Sequence, residues 1–227
     1  MWWIWCILGA IFCALFLKER MAGRNLRSVF LKAMTSTCFF LMAWQGLFQC
    51  QTISFGLWFV AACFFGLMGD VWLGLKWTYP KQDTMFTFAG FVCFSVEHFF
   101  LLMGLALYTG HPVALLFALI LAMILSYVVV GMEKKMKLKY GYFKGISLIY
   151  GSLLFSVPIF SFLLCCFHHF QGMYVWTLLA GLFFMASDLI LSGTYFGKGK
   201  DRPIHIISNH ILYFMAQFIL AYVIWIC

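Results

Sequence analysis

The stretch 113–132 reads VALLFALILAMILSYVVVGM, twenty residues without a charge and apolar on every face. A helix on the surface of a soluble domain carries a polar face, and a strand of a membrane barrel is polar at every second position. This segment has neither pattern. At 1.5 Å per residue it is as long as a hydrocarbon core of about 30 Å is thick, which makes it a transmembrane helix.

Outward from this span the same texture recurs. Gly, Pro and charge breaks divide the chain into eight apolar runs, at residues 2–17, 28–48, 53–75, 85–108, 112–132, 145–167, 172–192 and 205–226. Of 227 residues, 65% are apolar, 21% aromatic and 10% charged, and the mean hydropathy is +0.98. A soluble domain is about half apolar and a quarter charged, so too little polar surface is present to coat a globule. The same deficit excludes a disordered chain, a collagen and a nucleic-acid-binding domain, despite the net charge of +8. Eight spans of about 20 residues consume most of the chain, leaving one all-α membrane domain over residues 1–227. The first run is short and leans on the interfacial cluster Trp2-Trp3-Ile4-Trp5.

The fifteen Lys and Arg residues set the orientation. Lys18, Arg20, Arg24 and Arg27 lie between runs one and two, with Lys32 just inside run two. Lys76 and Lys81 follow run three, Lys134, Lys135, Lys137, Lys139 and Lys144 follow run five, and Lys198, Lys200 and Arg202 follow run seven. The alternate loops hold none. By the positive-inside rule the basic loops are cytoplasmic and both termini are outside. The basic loops also suit contact with anionic lipids. The nine cysteines lie in or at the ends of apolar runs without a CxxC pair, and are expected to pack as small hydrophobes. No cleavable signal peptide is expected, because the first run is apolar from its start and its basic residues come after it.

Ionisable groups at depth are expensive, about 2.5–3.5 kcal/mol each on insertion scales, and are functional candidates by default. Asp70 in span three, Glu97-His98 in span four and Asp188 in span seven qualify. Lys32 opens span two, and Asn209, His210, Tyr213 and Gln217 lie in span eight. Asp70 and Asp188 are each expected about five residues, or roughly 8 Å, from the cytoplasmic end of their spans. The segment around Gly69-Asp70 is similar to that around Ser187-Asp188, each in the third helix of a four-helix half. A Lys opens the second helix of each half (Lys32, Lys144), and a polar group lies within the fourth (His98, Gln217). Four helices per half preserve orientation, so a parallel 4+4 repeat is expected, with both acids facing one cleft. The plain alternatives are a structural ion pair of Asp70 with Lys32, a satisfied interior His98, and Glu97 facing elsewhere as a structural group.

Gly69-Asp70, the stretch from Gly90 to Glu97-His98, Tyr150-Gly151, Ser187-Asp188 and Tyr213 with Gln217 fall in an order that resembles the YhhN family, the lysoplasmalogenase family of eight-span membrane proteins. Lys32 fits the pattern, although Ala33-Met34 follow it where members often have Pro. The resemblance implies hydrolysis of the vinyl ether bond of a lysoplasmalogen, giving a fatty aldehyde and a glycerophospho-alcohol. It brings Asp70 and Asp188 forward as the acid/base pair and His98 as a supporting proton relay. Tyr150, Tyr213, Gln217 and Asn209 would bind substrate or orient water, and Lys32 would meet the substrate phosphate. The expected partners are the lysophospholipid substrate and membrane lipids. No cofactor, metal, nucleic acid or protein partner is called for, and the expected location is a bacterial cytoplasmic membrane. A proton-coupled lipid or small-solute transporter is the competing reading, since an intramembrane acid pair can also couple to protons. A metal hydrolase using Asp70, His98, Asp188 and His210 is a third, without the spacing of a known motif.

Overall fold

The computed structural model describes residues 1–23, 25–197 and 202–227. Arg24, Lys198 and Lys200, counted above as topology signals, lie outside the described residues. Among the described residues eight α-helices follow in order: α1 (Trp2–Ala22), α2 (Leu26–Gly46), α3 (Ile53–Thr78), α4 (Asp83–Thr109), α5 (Pro112–Gly131), α6 (Lys144–Phe167), α7 (Gly172–Phe196) and α8 (Pro203–Val223). All eight are long and apolar enough to cross a membrane. Among the described residues there is no strand, only an isolated bridge between Leu138 and Gly197.

Several helices outrun the apolar runs. Helix α1 continues through Lys18-Glu19-Arg20, all good helix formers. The Arg20 guanidinium lies 4.7 Å from the ring centre of Trp77, near the end of α3. Helix α2 starts where Asn25 caps it, its Oδ1 accepting from the Ser28 N–H at 2.8 Å. Pro112 and Pro203 open α5 and α8, where the missing N–H has no intrahelical partner to lose. Pro158 lies inside α6, yet the helix runs unbroken from Lys144 to Phe167.

The chain forms two compact units. The first comprises Met1–Leu101 and Ala221–Cys227, the second Leu102–Leu220, so the boundaries fall inside α4 and α8. In the first unit α2 packs on both α1 and α3, and in the second α6 packs on both α5 and α7. Small residues set how close these helices come. A Cβ on Gly69 of α3 would lie 2.8 Å from the Phe94 ring of α4, and one on Gly181 of α7 would lie 3.1 Å from the backbone of Pro158 in α6. Helices α1 and α5 are the least buried, at 11% and 22% of their central windows against 50% for α3. Their exposed Leu, Ile, Phe and Val side chains suit a lipid environment, which accounts for the all-round apolarity of 113–132.

One expectation is corrected. Cys50 and Cys227 do not act as packing residues; they form a disulfide. The turn after α2 and the segment after α8 meet in the first unit, where the Gln51 N–H donates to the Cys227 carbonyl at 3.3 Å and Trp225 Nε1 donates to the Met42 carbonyl at 3.0 Å. Both cysteines fall on the side without basic loops, opposite the cytoplasm by the charge rule, where disulfides persist. The other seven cysteines are free.

Candidate active site

Both acids lie eight residues before the end of their helix, Asp70 before Thr78 and Asp188 before Phe196. That is about 12 Å along each helix, deeper than the apolar runs suggested because α3 and α7 are longer than those runs. In each unit the preceding helix supplies the partner, α2 for Asp70 and α6 for Asp188.

In the first unit Asp70 is 1% exposed. Lys32 Nζ lies 2.8 Å from its Oδ1, and the Ser36 hydroxyl donates to its Oδ2 at 2.5 Å. Lys32 and Ser36 are four apart on α2 and therefore share a face. Lys32 is itself buried, and its contact with Asp70 is the arrangement weighed above as an ion pair. Ser36 was not singled out from sequence, although its place one turn after Lys32 was the available signal. In α4, Glu97 and His98 are both buried, and His98 Nδ1 lies 2.7 Å from the Phe94 carbonyl of its own helix.

In the second unit Asp188 is half-buried. The Tyr150 hydroxyl donates to its Oδ2, and the Ser187 hydroxyl donates to its Oδ1 at 3.3 Å. Asn209 of α8 donates from Nδ2 to the Ser187 carbonyl at 2.8 Å and lies 3.2 Å from the Ser187 hydroxyl oxygen. One turn before Asp188, the Phe184 ring meets Tyr213 edge-on at 5.3 Å between centroids. Gln217 Nε2 donates to the Tyr213 hydroxyl at 3.0 Å. The second unit thus gathers Tyr150, Ser187, Asp188 and Asn209 in one hydrogen-bonded group, with the bonded pair Tyr213 and Gln217 on α8 joined to α7 through Phe184. His210 Nδ1 lies 2.8 Å from the Ile206 carbonyl of its own helix.

The expected correspondence between Lys32 and Lys144 does not hold in contacts. Lys144 Nζ lies 2.7 Å from Glu133 Oε1 at the membrane edge, and Tyr150, six residues further on, occupies the place beside the acid. The hydrogen bond from Lys144 holds Glu133 below the usual carboxylate range, while burial pushes the Tyr140 phenol up. Among the described residues no three of His, Cys, Asp and Glu are gathered as a metal site would gather them.

Eight membrane-length helices, with a carboxylate on the third helix of each half and a partner from the helix before it, define a polytopic membrane protein with polar sites inside its spans. Within that class the chain belongs to the YhhN family, whose sequence model matches residues 27–224. Comparison with curated proteins and with solved structures gives no match.

Proposed function

We propose that this protein hydrolyses the vinyl ether bond of lysoplasmalogens in a bacterial cytoplasmic membrane, releasing a fatty aldehyde and a glycerophospho-alcohol. The observation that carries the proposal is the Asp188 group: a half-buried carboxyl within a membrane helix, bonded to the Tyr150 phenol and to Ser187, with Asn209 behind it. Family membership supports it further.

A vinyl ether is cleaved by adding a proton to the carbon β to oxygen. The electron pair of the double bond forms the new C–H bond, and the ether oxygen shares the charge left on the α-carbon as an oxocarbenium ion. Water adds to that carbon and gives up a proton, and the hemiacetal collapses to aldehyde and alcohol. One water is consumed and the acid is regenerated. Asp188 is assigned the proton delivery, and Tyr150 holds its carboxyl oriented. The carboxylate that Asp188 becomes on giving up its proton faces the cation it has made, while Asp70 stays ion-paired with Lys32 within the first unit. Tyr213 and Gln217, bonded to each other, orient water or the glycerol hydroxyl.

Aldehyde release from a vinyl ether lysolipid by purified protein in detergent is the test, with Asp188→Asn and Tyr150→Phe measured beside it. Release by the wild type that is lost in a folded Asp188→Asn protein is the expected result. Full activity in that variant overturns the assignment. Solute or lipid uptake by proteoliposomes without any aldehyde would favour the transporter instead.

A further inference from the structure

The basic loops differ in what their charges do. After α1, Arg20 lies over Trp77 and Arg27 sits 3.4 Å from Glu19, so these cations are engaged by protein groups. After α5, Lys134, Lys137 and Lys139 form no ion pair among the described residues. Instead they line a cavity of about 660 Å³ together with Glu133, Leu138, Gly141 and Phe196.

This cavity is built rather than incidental to a floppy loop. The Leu138 N–H donates to the Glu133 carbonyl at 2.8 Å, and the Lys139 N–H donates to the Phe196 carbonyl at 2.9 Å. Lys137 adopts a φ of 55°, a left-handed conformation uncommon for a non-glycine residue and held here by the bonds on either side. Leu138 and Tyr140 are buried with Val130 against Met136, Leu148 and Phe196, which leaves Lys137 and Lys139 directed outward. Glu133, the one acid of the lining, is turned to Lys144 at 2.7 Å.

The cavity's position identifies its ligand. It lies where α5 ends, α6 begins and α7 ends, on the basic side of the membrane, at the level of the headgroups. Tyr142 beside it is fully exposed, as an interfacial aromatic is. Three lysines lining one cavity together with the apolar Leu138 and Phe196 match a phosphate carried on an apolar tail. We propose that this loop is a binding site for the phosphate headgroup of an anionic glycerophospholipid of the inner leaflet. It is separate from the carboxylate groups and goes beyond the hydrolase reading.

The test is thermal unfolding of the detergent-purified full chain, titrated with dioleoyl phosphatidylglycerol, dioleoyl phosphatidylcholine or sodium phosphate. Two triple variants are compared with the wild type. Lys134→Gln/Lys137→Gln/Lys139→Gln removes the lining lysines. Lys18→Gln/Lys81→Gln/Lys135→Gln removes the same charge from exposed lysines outside the cavity. Phosphatidylglycerol is expected to stabilise the wild type and the control alike, and to require about tenfold more lipid or greater in the lining variant, given the contribution of each basic residue near a lipid surface. Phosphatidylcholine and free phosphate are expected to have little effect. Equal titrations of the two variants overturn the site, as does phosphatidylcholine acting as well as phosphatidylglycerol. Free phosphate as effective as the lipid overturns the choice of ligand. Should the lining triple variant fail to fold, the single Lys137→Gln and Lys139→Gln proteins carry the same comparison, each expected to weaken the lipid effect.

Discussion

Asp70 is closed off from solvent and meets an ammonium and a serine, whereas Asp188 is half-buried and meets a phenol and a serine. The two occupy the same position, eight residues from the end of the third helix of their halves. Helix position therefore fixes depth, while the residue offered by the preceding helix fixes what the carboxyl can do. An ion pair at full burial is an expensive arrangement that fails badly when one partner is lost. A phenol–carboxyl pair with partial exposure can exchange a proton and admit a small reactant.

The largest expected effect separates these roles by activity. Asp188→Asn should lower aldehyde release by about 10²–10⁴-fold, the usual worth of a general acid, while the unfolding midpoint in detergent stays close to wild type. Activity retained to within a few-fold would erase the functional side of the contrast. The next effect separates them by stability. Asp70→Asn leaves Lys32 buried without its counter-charge and should destabilise the protein by about 3–5 kcal/mol. Lys32→Met combined with Asp70→Asn should recover much of that loss in the same measurement, and equal stability of single and double variants would deny the ion pair its role.

A smaller difference concerns the staple that only the first unit carries. Removing the Cys50–Cys227 bond with Cys50→Ser should cost about 2–4 kcal/mol, seen as a lower unfolding temperature that reductant no longer changes. Cys166→Ser, at an exposed free thiol, should do neither. The smallest effect belongs to the second unit. Lys144 lowers the Glu133 carboxyl, so the stabilisation from this pair is present above the unfolded-state value and is lost as pH falls through the folded one. A stability difference between wild type and Glu133→Gln should be full at pH 6, start to shrink as the pH falls through the ordinary Glu value of about 4.3, and be gone only in stronger acid, below the lowered folded value. A difference that persisted at the lower pH would assign the effect to packing.

The helix count was legible because hydrophobic length is a local property. Helix ends were less so. Residues 18–22 and 193–196 continue α1 and α7 beyond the apolar runs, since a last turn at the headgroups tolerates Lys, Glu, Arg and Thr. The Lys32–Asp70 pair was readable as one alternative, because a buried acid needs a cation and few lie at depth. The Tyr150–Asp188 bond was not readable from spacing, since the Lys144 that seemed to mirror Lys32 turns to Glu133. The disulfide was hidden for a similar reason: a cysteine at the end of an apolar run looks the same whether it packs or pairs, and only the tertiary fold brings residues 50 and 227 together.

That bond carries a consequence in parity. Six helices, α3 to α8, separate Cys50 from Cys227. Two thiols can be joined only if the chain between them crosses the bilayer an even number of times, whatever the charges in its loops. The crosslink is thus a covalent check on the topology, independent of lysine and arginine. A chain in which one of those six helices failed to insert would strand the two cysteines on opposite sides, and a non-reducing gel would count it apart from the correctly threaded protein.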